Sequence, residues 1–527
     1  MAENQDNQRP QVNPWLVAFT VSLATFMEVM DTSIANVALP HIAGSVAADQ
    51  SESTWVLTSY LVSNAIVVPI SGWLASVFGR KCFYMGCVAL FTVSSFLCGL
   101  APNLPFLLLF RVLQGIGGGG LAPSEQSILT DTFPPEKRGQ AFAFYGVAVV
   151  VAPAMGPALG GWITDTFSWR WIFYVNIPVG IISLIMTYLL VHDSAGAKKE
   201  HEAATKGGVY VDYAGFAFVA LGLGCLQVVL DKGQEDDWFG SPFIATFAIL
   251  SGIGIVGLIV WELWFAREPM VDLPLMRDHS FFFSNIMMFC TLFILMSTTQ
   301  LLPQLVQQLF GYDATKAGLI LMPGGLVMMA LMPLVGFLVH KVQPKYMICF
   351  GFIISSFALY HLSSLYMQSS FKVIALARMF QGFGFAFLFV PIQTLAYSDL
   401  PAGKSNNASA LINLMRNLGG SVGISVGTTL LARRSQIHQD RLVSNLTATS
   451  PAFQKQLHNL TQHFAQLGSG PVEAMKRAMA VISRQVQSQS AMLSYLDIFI
   501  VLLIGCLIAA ALTSLLKNMD LSKPGAH

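Results

Sequence analysis

Charge is scarce in this chain: only 11% of its 527 residues are Asp, Glu, Lys or Arg, against about 25% in soluble domains. The two signs nearly cancel, 29 basic against 28 acidic residues, and the concentrated basic surface of a nucleic-acid binder is missing. Cysteine is sparse and unpaired. Cys82, Cys87, Cys98, Cys225, Cys290, Cys349 and Cys506 all fall in apolar stretches or at their ends, with no C-x-x-C among them. A disulfide framework and a zinc site are therefore not expected, and these thiols read as small buried hydrophobes. No His/Asp pair, Ser-x-x-Lys or phosphate-binding loop is placed for catalysis. That argues against an enzyme, a cofactor and ATP as energy source, and leaves an ion gradient. The polar start MAENQDNQRPQVNP leads into an apolar stretch too long for a cleavable signal peptide.

What is abundant is apolar length, with 54% of the residues hydrophobic. A spanning helix needs roughly 20 mostly apolar residues. Fourteen such stretches begin near Trp15, Thr54, Phe83, Phe106, Gln140, Trp169, Tyr213, Phe243, Phe281, Lys316, Tyr346, Val373, Ser405 and Ser494. The fold class is an all-α membrane protein, and an even count puts both termini on one side. With the termini inside, the inner segments hold Arg9, Arg80, Lys81, Lys137, Arg138, Lys198, Lys199, Lys206, Arg267, Arg277, Lys341, Lys345, Lys404, Lys517 and Lys523. The short outer loops hold only Arg170, Lys232, Lys316 and Lys372. The positive-inside rule makes the first set cytoplasmic.

The chain repeats itself. Arg111-x-x-Gln114-Gly115-x-Gly117 recurs as Arg378-x-x-Gln381-Gly382-x-Gly384, Gly72-x-Leu74 with Lys81 as Gly336-x-Leu338 with Lys345, and Gly156-x-x-x-Gly160 as Gly419-x-x-x-Gly423, all at nearly one spacing. Two related six-helix bundles, 14–191 and 281–516, therefore flank an extra helix pair at 212–265. Linkers at 192–211 and 266–280 join them, and tails at 1–13 and 517–527 complete the chain. Repeat-built carriers place the substrate site near mid-membrane between the halves. The expected cavity holds Asp31, Asn36, Arg111, Gln114, Glu125, Arg378 and Gln381, and Met and aromatic neighbours suit varied lipophilic guests.

Ionisable residues inside spans mark functional sites by default. Asp31 and Glu28, three apart on the first helix, project from similar faces. A carboxylate in a low-dielectric cavity can take up a proton on one side and release it on the other, which is the chemistry of an antiporter. The alternative is a structural hydrogen bond to a neighbouring helix. Arg111 can only donate; its partner is either one that switches during transport or a static ion pair. Arg416 is a weaker candidate of the same kind, and Glu125 lies near enough to the cytoplasmic end to snorkel. Gly115-x-Gly117-x-x-Gly120 imitates a dinucleotide fingerprint, but it sits in an apolar span and reads as close helix contact. Gly156-Pro157 with Gly160-Gly161 is either a hinge or a tight packing face. Gly72, Gly79, Arg80 and Lys81 form a turn whose cations lock the closed cytoplasmic side, enforce topology, or both.

One long polar segment, 432–493, carries two heptad-like stripes: Phe453, Leu457, Leu460, Phe464 and Leu467, then Val472, Met475, Met479, Ile482 and Val486. Either they bury each other as a helical hairpin or they dock another protein's helices.

In Leu23–Pro40, Thr54–Tyr60, Gly72–Lys81, Arg111–Gly117, Gly156–Gly161, Trp169–Gly180 and Leu302–Gly325 the chain resembles the major facilitator superfamily. The likeness is to its fourteen-span drug:proton antiporter branch of the EmrB/QacA type, and the EmrB members above all. The resemblance implies two pseudo-symmetric six-helix bundles plus two central helices, with proton coupling at Asp31 and proton transfer or conformational change at Arg111. It also implies lipophilic drugs, dyes and uncouplers as substrates. Partners would be a periplasmic adaptor docked on the 432–493 loop and an outer-membrane channel, with membrane lipids around a protein of a Gram-negative inner membrane. Ser76 stands where the family usually has an aspartate, which weakens a charge-relay role for that loop. The rival readings are a dedicated metabolite, peptide or siderophore carrier on the same fold, and a non-transporting receptor or assembly module.

Overall fold

A computed structural model describes residues 13–519 apart from 47, 207–210, 267–268, 399, 401–403, 445 and 448. The tails at 1–12 and 520–527, and with them Arg9, Lys523 and the linker residue Arg267, lie outside the described residues. Among those described, all regular structure is helical. The long helices are α1 (Pro14–Val46), α2 (Gln50–Phe78), α3 (Arg80–Leu100), α4 (Leu104–Thr132, broken at Gly120), α5 (Pro135–Thr166), α6 (Trp171–Leu190) and α7 (Tyr213–Lys232). They continue as α8 (Pro242–Phe265), α9 (His279–Gln308), α10 (Ala314–Leu338), α11 (Pro344–Ser363), α12 (Phe371–Ala396), α13 (Ser405–Val443) and α14 (Pro471–Leu512). Among the described residues twelve helices are long and apolar enough to cross a membrane. The other two expected spans correspond to α5 and α13, both of spanning length; parts of α5 lie outside the described side chains, and α13 is less apolar. In α13 glycine, alanine and polar residues such as Asn406, Ser409, Asn413, Gly419 and Gly423 pack against other helices.

In the first half α1 packs on α5 and α6, and α2 and α3 pack on α4; in the second, α9 packs on α13, and α12 on α10 and α11. The halves meet along α5 with α10 and along α2 with α13. Glycine makes the first seam possible: a Cβ at Gly336 would stand 2.8 Å from the Gly139 carbonyl oxygen and 3.1 Å from Gln140 Cα. All hydrogen bonds described between the halves lie from the terminus-bearing face to mid-membrane, among them Ser127 Oγ to Ser409 Oγ (2.9 Å), Asn413 Nδ2 to Gln126 Oε1 (2.8 Å) and Asn417 Nδ2 to Asn64 Oδ1 (3.2 Å). That face is closed.

The extra pair seals the second seam. Asp231 of α7 accepts from Thr58 of α2, and Gln227 accepts from Ser421 of α13 at 3.0 Å. Outside it, α8 turns Ile249, Ile253 and Val256 outward, as a lipid-facing helix does. The 432–493 segment differs from a free-standing loop. α13 runs on to Val443 and α14 starts at Pro471, so a span's hydropathy ends long before its helix does. The helix Pro451–Gln466 lies against the extended part of α14.

Candidate functional site

The glycines of α4 set the site. A Cβ at Gly115 would lie 2.0 Å from Ser63 Oγ and 2.5 Å from the Tyr60 carbonyl oxygen, so α2 comes unusually close. That approach brings the Val56 carbonyl and the Tyr60 ring to Arg111, which is completely buried. Arg111 donates from Nε to Val56 O (3.0 Å) and from Nη1 to Asp31 Oδ2 (2.6 Å) and Gln114 Oε1 (2.8 Å). Its guanidinium lies 4.7 Å from the Tyr60 ring centre and 5.6 Å from that of Phe173. Asp31, 2% exposed, also accepts from Gln114 Nε2 (3.0 Å) and Asn176 Nδ2 (2.6 Å). Ser95 Oγ braces both amides at 3.2 and 2.9 Å. The network is not saturated: Arg111 Nη2 and Asn176 Oδ1 are buried without a partner.

Asp31, Arg111 and Gln114 are thus brought together, while Asn36 is exposed and apart from them. Glu28 turns to α2, accepting from Tyr60 Oη (3.2 Å) and Asn64 Nδ2 (3.3 Å). Tyr60 therefore links the two carboxylates, with its ring against Arg111 and its hydroxyl on Glu28. Asn64 carries the connection to Asn417 across the seam. Glu125 does not snorkel; it is fully buried and accepts from Thr25 and from Tyr84 Oη at 3.3 Å. Arg416 donates to Tyr145 Oη at 3.0 Å, and its charge acts on both Glu28 and Glu125. Tyr60, Ser95 and Asn176 were missed in the sequence. Their signal was there, as polar residues in the TWVLTSY and WRWIFYVNIPVG segments and in an apolar span.

In the second half Arg378 and Gln381 repeat the Arg111–Gln114 contact. Gly156 and Gly160 of α5 seat on Ser33 and Ile34 of α1, whereas Gly161 faces open space. Pro157 lies between them, its side chain outside the described set. Gly72 is pressed against Asn406 and Asn407 of α13, and Gly79 has φ +81, a conformation that suits glycine. Lys81 Nζ donates to the Tyr188 carbonyl at 2.8 Å.

Arg80 is the centre of the closed face. Its Nη1 donates to Asp131 Oδ2 at 2.5 Å, and its Nη2 to Glu200 Oε2 (3.3 Å) and Ser405 Oγ (3.2 Å). Asn406 Nδ2 donates to the same Glu200 oxygen at 2.9 Å. The helix Ala195–Thr205 thus supplies a carboxylate that touches both halves, in a loop region where Ser76 offers none. Burial pushes the Glu200 carboxyl up to about 7, opposed by Arg80 and Lys404 and assisted by Asp131. Neighbouring His201 approaches the Ser76 carbonyl at 3.1 Å. A raised carboxylate favours the closed face when protonated, so this contribution is present at low pH and is lost as pH rises through about 7. Spin labels at Lys137 and Lys341 should report a face that loosens as pH rises from about 5 to about 7. Glu200→Gln should hold it closed across that range. A pH profile unchanged in Glu200→Gln would exclude Glu200 as the titrating group.

An apolar cleft of about 680 Å³ opens between α2, α3, α4 and α7, lined by Ile66, Val67, Ile70, Phe83, Leu90 and Phe216 among others. The sequence matches the family model "Major Facilitator Superfamily" over residues 21–424. It is 37% identical over 485 residues to "Multidrug export protein EmrB" of Haemophilus influenzae, covering 92% of each chain. It is 36% identical over 495 residues to the Escherichia coli K12 protein of the same name, covering 93% of each. "Fatty acid resistance protein FarB" of Neisseria gonorrhoeae is 37% identical over 484 residues, with 92% of each chain covered. Among solved structures, the proton:xylose symporter XylE superposes with a TM-score of 0.59 at 16% identity, covering 80% of this chain and 90% of that one, a likeness of fold.

Proposed function

The chain belongs to the major facilitator superfamily, and within it we propose a proton-coupled exporter of lipophilic drugs, dyes or uncouplers that works by alternating access. The observation that carries this reading is the enclosed Asp31–Arg111 pair at membrane depth, connected through Tyr60 to Glu28 at the seam between the halves. Protonating Asp31 removes the charge that holds Arg111 Nη1. The freed guanidinium then re-pairs, and Tyr60 and Asn64 transmit that shift to α13. The names of the relatives, multidrug export and fatty acid resistance, support lipophilic cargo, as does the apolar cleft.

The protein sits in a bacterial inner membrane with its termini cytoplasmic, so the arrangement with the terminus-bearing face closed is the outward-facing one. A periplasmic adaptor and an outer-membrane channel complete the pump, with the 432–493 hairpin as the docking element. Proteoliposomes loaded with several unrelated dyes should release them when a pH gradient is imposed and retain them without one. If the folded protein released none of the dyes, a dedicated metabolite carrier would replace this reading.

A further inference from the structure

The repeat is broken at one atom group. Arg111 pairs with Asp31, 80 residues before it; the residue 80 before Arg378 is Thr298. Gln114 and Gln381 likewise contact Asp31 and Thr298 at a common separation of 83 residues. The second half therefore keeps the arginine, the glutamine and their geometry, and has a hydroxyl where the first half has a carboxylate. Arg378 donates from Nη1 to Thr298 Oγ1 (3.3 Å) and to Gln381 Oε1, and from Nη2 to Thr299 Oγ1 (2.9 Å). All three acceptors are neutral. Among the described residues no carboxylate pairs with it or acts on it.

Arg378 is 8% exposed where Arg111 is wholly buried, and its Nε donates to none of the described residues. Its backbone is held in place by α10: a Cβ at Gly324 would lie 2.7 Å from the Arg378 carbonyl oxygen and 2.9 Å from its Cγ. The cation is thus anchored at membrane depth without a counter-charge, in a setting where unpaired charge is expensive and marks a substrate pathway. A guanidinium in that position is matched by a planar anion, and its setting requires the rest of the guest to be apolar.

We propose that Arg378, with Gln381, Thr298 and Thr299, is the binding point for the carboxylate of lipophilic anionic substrates. The proposal deepens the exporter reading by naming a substrate class, but its test needs no proton gradient. Binding of 1-pyrenebutanoate and its primary amide, which differ only in the charged group, is measured by fluorescence in nanodiscs at neutral pH, with empty nanodiscs subtracted. Wild-type protein should bind the carboxylate about tenfold tighter than the amide. Arg378→Gln should reduce that preference to within about twofold, and Arg378→Lys should keep part of it. Equal binding of both probes by the wild type would overturn the proposal without any variant. So would a preference that survives in Arg378→Gln shown by size exclusion to be folded. Failure of gradient-driven dye release with the anion preference intact would remove the exporter reading and leave this site standing.

Discussion

Asp31→Asn should abolish gradient-driven efflux while leaving a folded protein in the membrane. Asparagine keeps the size of the side chain and one acceptor for Gln114 or Asn176, but it presents an amide that cannot be deprotonated. Arg111 would then lie buried with only the Val56 and Gln114 oxygens and two aromatic faces around it. Removing one partner of a buried ion pair costs about 3–5 kcal/mol, so the variant should also melt earlier than wild type. Asp31→Asn with Arg111→Gln removes both charges and should recover most of the lost stability without recovering exchange. That separation matters, because a static structural pair would predict that the double variant regains transport along with stability. Gradient-driven efflux by the single Asp31→Asn variant would sink the coupling role and move the proton site to Glu28.

The helical class and the internal repeat were legible because both are written in local pattern: apolar runs of spanning length, and Arg-x-x-Gln-Gly recurring in order. Asp31 and Arg111 stood out because charge inside such runs is costly. What stayed hidden depends on helix packing. Tyr60 and Asn176 join the site through the approach of α2 and α6 to α4, and a lone polar residue in an apolar span gives no sign of which neighbour it will meet. Glu200 was hidden for a different reason. It lies in an ordinary charged linker, AKKEHEAAT, and gains its role only when that helix folds under Arg80 and Asn406. α13 falls short in apolarity because the seam with α2 is built from it, so it faces protein along much of its length. The broken symmetry at Thr298 could have been read from the repeat alone, by stepping back from Arg378 as far as Asp31 lies from Arg111.

Deleting about residues 440–490 should spare dye efflux in liposomes and remove resistance in cells. The cut is structurally mild, because α13 and α14 are in contact where it falls: Ser490 Oγ donates to the Ser435 carbonyl at 2.5 Å, and His438 Nε2 meets Asp497 Oδ2 at 2.9 Å. A short Gly/Ser linker therefore rejoins helices that are already adjacent, and the Asp31–Arg111 network lies on other helices. Within the hairpin Phe453, Leu457, Leu460 and Phe464 are half-buried on the side of the helix Pro451–Gln466 that faces α14, where Ala474, Ala478 and Ile482 are buried. The first stripe is thus largely used up in holding the hairpin together. Leu467, 67% exposed, stands at the tip, and Val472, Met475 and Met479 form an outward face at 71, 48 and 43% exposure. A flexible Met-bearing face of this kind suits docking of a partner's helices. Charging it alone, with Val472→Glu, Met475→Glu and Met479→Glu, should reproduce the loss of resistance with the hairpin still folded. Resistance unchanged in both the deletion and the charged variant would count against an adaptor at this loop, and efflux lost in liposomes would mean that the hairpin serves transport itself.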